Sequence, residues 1–285
     1  MRNIKAALIT ELVRKAVQVI NFNTPAPTLE RLQSALDHEP SIAGRQAMSD
    51  ILENRQIASR ECVPMCQDTG MAVVFVEIGQ DVHIKGGSLA GAIIEGVRLG
   101  YKEGYLRKSV VSEPLFDRLN TGDNTPPVIH YTIVPGNHLI LTIAAKGFGA
   151  ENMSRLRMLT PAQGIAEVKR QVVQCVVDAG PNACPPVVVG VGLGGTLEMA
   201  AMLAKKALMR EMGERNLDPR YAALEEELLV LVNQTGIGPQ GWGGLNTALD
   251  VRVEFYPTHI AALPVVINLD CHLSRHITIL VGEKP

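Results

Sequence analysis

Three cysteines stand where side chains could do chemistry. Cys66 opens the run Cys66-Gln67-Asp68-Thr69-Gly70, which sets a thiol, an amide, a carboxylate and a hydroxyl in succession after Pro64. Cys184 closes Gly180-Pro-Asn-Ala-Cys184 and is followed by Pro185 and Pro186. A proline disfavours helical backbone in the residue before it, so an extended Cys184 is expected. Cys271 lies in Asn268-Leu-Asp-Cys271-His272, with Arg275 and His276 close behind. Each also has a plain structural reading. The first can be a turn shaped by its Asp and Gly, the second a small core thiol, the third a solvated strand end. Taken together they differ from the paired Cys-x-x-Cys spacing of structural zinc. Each sits in a loop or at a strand end, far from the others in sequence. That pattern suits a cluster held by three thiolates with one iron left open as a Lewis acid. A Cys-Pro step is also a habit of iron–sulfur ligand segments.

The other two cysteines read differently. Cys175 lies among Val172, Val173, Val176 and Val177 on a helical pattern and is expected in the core. Cys62 lies four residues before Cys66 and need not be a ligand. Five cysteines in a chain of 285 residues without a leader-like start argue against a disulfide framework.

Gly190-Val-Gly192-Leu-Gly-Gly195 matches G-x-G-x-x-G between a strand pattern and a helix pattern. A dinucleotide-binding dehydrogenase is therefore a competing reading. No βαβαβ series follows the motif, however, and Glu211 falls at a helix end rather than at a second strand tip. The glycines then read as a tight strand-to-helix turn. His259, in Tyr256-Pro-Thr-His259-Ile, precedes a strand and by itself reads as structural or solvated. Arg107 reads by default as a surface helix residue. The glycine-rich run from Gln234 to Gly244 implies a loop that approaches other backbone closely.

The elements that must position these residues follow from periodicity. Helices are expected over 3–20, 28–38, 41–59 and 88–102. A strand is expected over 71–78, and two more over 128–134 and 139–145, joined as a hairpin through Pro135-Gly-Asn-His138. Thr160-Pro161-Ala-Gln163 carries a capping box that starts a helix ending near Gly180. A buried strand over 185–191, helices over 196–211 and 218–232, and strands over 249–255, 262–269 and 277–281 complete the reading. The fold class is mixed α/β (α+β): a helical N-terminal subregion, residues 1–60, then mixed strands and helices in one domain over residues 1–285.

Bulk composition excludes several classes. Hydrophobic residues make up 46%, charged residues 20%, and the net charge is -2, so no nucleic-acid or anionic-membrane surface is indicated. The apolar run from Pro185 to Val191 is too short to span a bilayer. A soluble, cytoplasmic protein is expected.

Several of these segments, in this order, resemble the class I iron–sulfur fumarases and the α subunit of L(+)-tartrate dehydratase. They are Cys66–Gly70, Asn120-Thr-Gly-Asp-Asn-Thr125, Lys146-Gly-Phe-Gly149, Asn182-Ala-Cys184-Pro-Pro186, Val189–Gly192, Gly236–Gly241 and His259 to Cys271. The resemblance implies an iron–sulfur hydro-lyase α domain that binds a [4Fe–4S] cluster through Cys66, Cys184 and Cys271. It implies that Gln67, Asp68, Arg107 and Gly149 meet a small dicarboxylate substrate. Asp68 and His259 are the implied catalytic residues, His259 reaching a site across an interface between protomers. The implied reaction is reversible hydration of fumarate to L-malate, with L(+)-tartrate dehydration or hydration of a substituted fumarate as the alternative. Single-chain members carry a second domain with further cations and a proposed base. A separate β subunit is therefore expected here, in a dimer of αβ pairs. A non-catalytic scaffold is the third class, against which the intact cysteine trio speaks.

Overall fold

A computed structural model describes residues 1–282 of the chain. In chain order its elements are β1 (Arg2–Lys5), α1 (Ala6–Phe22), α2 (Ala26–His38), α3 (Ile42–Glu61), β2 (Met71–Gly79), β3 (Val82–Lys85) and α4 (Leu89–Glu103). These are followed by β4 (Val128–Val134), β5 (Leu139–Lys146), the single turn α5 (Phe148–Glu151), β6 (Arg155–Leu159) and α6 (Gly164–Ala179). The last are β7 (Val187–Gly194), α7 (Leu197–Ala207), α8 (Pro219–Asn233), β8 (Ala248–Tyr256), β9 (Leu263–Asp270) and β10 (His276–Leu280). The expected mixed α/β class is what the chain adopts. Two compact units emerge. The first holds Met1–Thr24, Arg55–Gly147 and the chain from Arg275; the second holds Pro25–Asn54 and Phe148–Ser274. No helix among the described residues is long and apolar enough to cross a membrane.

In the first unit, α1 and α4 pack apolar stripes onto a sheet ordered β10-β5-β2-β4. Its core gathers Ile9, Val13 and Val17 from α1, Ile93 and Val97 from α4, and Val74, Leu141 and Ile143 from the sheet, all almost fully buried. The sheet departs from the expected hairpin. β4 pairs in parallel with β2, and β5 pairs with β2 antiparallel, so β2 lies between them. The Pro135–His138 connection therefore crosses the end of β2 instead of turning back on its neighbour. It spans two strand spacings, about 10 Å. It is pinned there by Asp81 N–H on Gly136 O at 2.9 Å and Gly79 N–H on His138 O at 2.8 Å. A Cβ on Gly79 would stand 2.3 Å from Gly136 O, so the crossing needs a glycine at that point.

Residues 2–5 are also not helical. They form β1, parallel to β3, with Arg2 N–H on Asp81 O at 2.7 Å. Ile4 is buried in the strand as it would have been in the helix, so periodicity alone does not separate the two. β3 and β6 are further short strands that the periodicity did not predict.

In the second unit the sheet order is β6-β9-β7-β8, with β7 parallel to β8 and antiparallel to β9. All eight residues of β7 are buried, as expected of a strand covered on both faces. Val187, Val189, Val191 and Leu193 face α6 and α8. Val188 faces the other way, toward Leu32, Met48 and Leu208. Gly190 and Gly192 share that second face, where α7 lies directly on the strand. A Cβ on Gly192 would stand 2.0 Å from Ala200 O, and one on Gly190 2.2 Å from Ala204 O. The first two glycines of the G-x-G-x-x-G match are thus strand residues that admit a helix backbone, not part of an anion-binding loop. Gly192→Ala is expected to cost about 3 kcal/mol through overpacking against backbone. A urea titration with an unshifted midpoint would refute it.

The capping box at Thr160 forms, with Thr160 N–H on Gln163 Oε1 at 2.8 Å. It closes a 3-10 turn over Pro161–Gln163, and α6 starts only at Gly164. α7 stops at Ala207, short of the expected Glu211. Past its end the carbonyls of Leu208 and Arg210 accept instead from the buried Arg252 guanidinium.

Candidate functional site

Cys66, Gln67, Asp68 and Arg107 belong to the first unit. The Cys66–Gly70 segment leaves α3 and enters β2 as irregular backbone, and its polar groups are tied from several directions. Met65 N–H donates to Asn21 O at 3.0 Å. Asp68 Oδ1 accepts from Gly70 N–H at 2.9 Å, an Asx-type turn, so the expected backbone role of this Asp and Gly is real. The Asp68 carbonyl accepts from Arg275 Nη1 at 2.8 Å, and the same nitrogen reaches Asn21 Oδ1 at 2.8 Å. Tyr101, fully buried, aims its hydroxyl at Thr69 O (2.9 Å) and Gly70 O (3.0 Å). Burial drives its phenol far above the ordinary range, so it acts as a neutral hydroxyl. Gly70 has φ +76°, and a Cβ there would meet the Lys146 carbonyl at 2.8 Å.

The turn is thereby rigid, with Gln67 exposed and Cys66 and Asp68 half-buried. Asp68 Oδ2 points toward Gly147, lying 3.4 Å from where a Cβ would stand on that residue. Arg107 is exposed, in irregular chain after α4 and not on a surface helix as its default reading had it. Its carbonyl accepts from Thr69 Oγ1 at 3.2 Å. The structure therefore brings the Arg107 segment against the Gln67–Asp68 turn.

Cys184, Cys271, Gly149 and His259 belong to the second unit. Cys184 is not extended. Its φ of 53° and ψ of 63° are left-handed, at the end of the 3-10 turn Gly180–Ala183, with its N–H on Pro181 O at 3.0 Å. Left-handed backbone avoids the helical region that the following proline disfavours and still ends the turn. It costs a non-glycine residue about 1–2 kcal/mol. Gln240 braces the next residue, donating to Pro185 O from its backbone (2.8 Å) and its side chain (2.7 Å). This close approach is the one expected of the glycine-rich run. Cys271 follows β9, its N–H on Asp270 Oδ1 at 3.2 Å. His272 N–H donates to Cys184 O at 3.5 Å, so the two cysteine loops lie side by side within this unit. Gly149 is exposed on α5, and a Cβ there would be 3.3 Å from Asn182 O, beside the Cys184 turn.

His259 lies at the other end of the unit, in the exposed loop between β8 and β9, with Nδ1 accepting from Ala261 N–H at 3.2 Å. The whole of β9 separates it from Cys271, about 26 Å for eight residues at ~3.3 Å each.

The five cysteines are all thiols. Cys66, Cys184 and Cys271 are half-buried, whereas Cys175 is 2% exposed and burial pushes its thiol up to about 12, as a core residue should. Soft thiol donors on braced backbone fit the chemistry of an iron–sulfur cluster. Within neither unit do three or more His, Cys, Asp or Glu side chains gather to hold a metal ion, among the described residues. The three thiols are divided one and two between the units.

An open groove of about 860 Å³ elsewhere in the second unit contains none of these residues. It is lined by Arg210, Arg215 and Arg220, but each of these guanidiniums is tied to a carboxylate: Glu225, Asp250 (2.6 Å) and Asp218 (2.5 Å). That leaves little positive charge for a dicarboxylate. The supporting residues Asn21, Tyr101 and Asn124 were not singled out by motif or spacing, and Arg275 stood out only as a neighbour of Cys271. Only the Asn120–Thr125 segment carried a signal, through its family-like order.

Comparison with known proteins supplies the class, an enzyme of the hydro-lyase type, through a match to a fumarate hydratase family. The model of the family described as fumarate hydratase (fumerase) matches residues 10–280, and the chain belongs to that family, as a class I member of α-subunit type. A Methanocaldococcus jannaschii protein provisionally named L(+)-tartrate dehydratase subunit alpha is 39% identical over 273 residues, 94% of each chain. The L(+)-tartrate dehydratase subunit alpha of Escherichia coli K12 is 32% identical over 277 residues, covering 96% of this chain and 90% of its own.

Proposed function

We propose that this chain is the α subunit of a [4Fe–4S]-dependent hydro-lyase that reversibly hydrates fumarate to L-malate. In this reading Cys66, Cys184 and Cys271 hold the cluster, residues 1–285 are a single iron–sulfur hydro-lyase α domain, and the enzyme works in the cytoplasm. The observation that carries it is the tie between Thr69 Oγ1 and the Arg107 carbonyl, 3.2 Å. It sets a cation-bearing segment beside a turn that offers a thiol, an amide and a carboxylate. When bound, the cluster supplies a Lewis-acid iron that polarises a substrate oxygen.

The chain's own residues divide the remaining work. The Arg107 guanidinium grips one substrate carboxylate through two parallel hydrogen bonds. The Gln67 amide donates to a second substrate oxygen. Asp68, held by its Asx turn, orients the hydroxyl that adds to the double bond. The Gly149 backbone faces the substrate. His259 cannot span the length of β9 to the Cys271 end of its own chain, so it serves a second copy, in a dimer of αβ pairs. The base that moves the carbon-bound proton is assigned to the β subunit.

The names of the relatives favour a second reading, dehydration of L(+)-tartrate, which uses the same residues. The α chain purified alone is expected to show no turnover, and activity is expected on co-expression with its β partner. Appreciable activity of rigorously purified α chain would sink the two-subunit reading. Comparing kcat/KM for fumarate, mesaconate and L(+)-tartrate on the complex selects the substrate; a clear preference for tartrate would replace fumarate.

A further inference from the structure

We infer that Asn124 is a positioning residue that sets the Arg107 segment against the Gln67–Asp68 turn. The inference rests on the reading of Arg107 as a carboxylate-binding residue. Asn124 is fully buried in the first unit and has φ +62°, left-handed backbone that asparagine tolerates better than most residues.

Both ends of its amide are engaged. Oδ1 accepts from Ser109 N–H at 2.7 Å and from Val110 N–H at 3.2 Å, directly after Arg107 and Lys108. Nδ2 donates to Gly70 O at 3.1 Å, at the end of the Asp68 turn. Tyr101 also holds Thr69 O and Gly70 O. One side chain thus takes two backbone donors from the cation-bearing strip and gives a hydrogen to the turn that carries Gln67 and Asp68. A second tie, Thr69 Oγ1 on Arg107 O, runs in parallel.

Only an amide meets this demand. A carboxylate of the same shape keeps the two bonds from Ser109 and Val110. It turns an acceptor oxygen toward the Gly70 carbonyl, however, and pushes the two segments apart. Its amide bonds the backbone of both segments, so its effect on substrate passes through the side chains those segments carry.

The test uses the cluster-loaded αβ complex and four forms: wild type, Asn124→Asp, Arg107→Met and the double variant. A misplacement near 1 Å costs about 100-fold in rate, and Asn124→Asp is expected to lower kcat/KM by about that factor. Most of the loss is expected in KM, with the visible cluster spectrum unchanged. Binding of succinate, a non-reacting dicarboxylate, should weaken in parallel by calorimetry. In the Arg107→Met background, Asn124→Asp should change kcat/KM by no more than about twofold, because residues that act through one interaction are not additive. A merely structural role would give the same loss in both backgrounds.

Thr69→Val, which removes the parallel tie without disturbing left-handed backbone, should shift KM in the same direction and guards against a misfolded Asn124 variant. If Arg107→Met weakens succinate binding while Asn124→Asp and Thr69→Val do not, the inference is overturned and the functional reading stands. If Arg107→Met leaves succinate binding intact, both fall.

Discussion

Cys184→Ser is expected to remove the broad visible absorption of an anaerobically reconstituted α chain and to abolish turnover of the αβ complex. Serine retains the size of cysteine and can occupy the same left-handed backbone, so the turn from Gly180 and its bond to Pro181 O should persist. What is lost is the thiolate, the soft donor by which iron–sulfur clusters are held. Cys175→Ser is the matched control. That thiol is buried in the core of the second unit and pushed up to about 12, and its replacement is expected to leave the absorption unchanged. Equal absorption in wild type and Cys184→Ser would remove Cys184 from the ligand set. An absorption that disappears in Cys175→Ser would point to a general folding defect.

The second large effect is on stability and concerns β8. Arg252 and Asp250 sit two residues apart on one face of the strand, 0% and 1% exposed. Arg252 Nε donates to Asp250 Oδ2 at 2.9 Å, and Nη1 donates to Leu208 O at 2.8 Å and to Arg210 O. Asp250 also accepts from Arg215 (2.6 Å) and from Gly213 N–H (3.1 Å). Burial alone would raise the Asp250 carboxyl. The two guanidiniums and the Gly213 N–H outweigh it and hold the group below the ordinary carboxylate range.

Arg252→Met is expected to cost about 3–5 kcal/mol, because it leaves a buried carboxylate and two carbonyls without their main partner. The double change Arg252→Met with Asp250→Leu should recover most of that loss, since an apolar pair has no charge to satisfy. The sign of the pH dependence follows. A depressed carboxyl lends stability that is present above about pH 4 and lost as the pH falls through its folded value. The double variant should therefore lose less stability than wild type on acidification. Urea titrations at neutral and acid pH decide both points, and a double variant no more stable than Arg252→Met would count against the argument.

How far such features can be read before folding depends on the range of the interaction that creates them. Most helices and strands were legible because apolar spacing is a local property. Met71–Gly79, Val187–Gly194 and Pro219–Asn233 fall close to where their patterns place them. Local spacing reports which face of an element is apolar but not which neighbour will cover it. That is why β4 and β5 read as a hairpin and are in fact separated by β2. It is also why Gly190 and Gly192 read as a turn and are in fact the floor under α7.

The residues expected to do chemistry show the same division. The types and order of Cys66, Gln67, Asp68, Arg107, Gly149, Cys184, His259 and Cys271 were set by the sequence alone, as was the family to which the chain belongs. Tertiary structure decided what braces them. Asn124 reaches Gly70 across 54 residues, Arg275 reaches Asp68 across 207, and Arg275 reaches Asn21 across 254. Bonds at such separations leave no periodic trace. They form only because packing has already brought buried backbone groups together and those groups must be satisfied away from water.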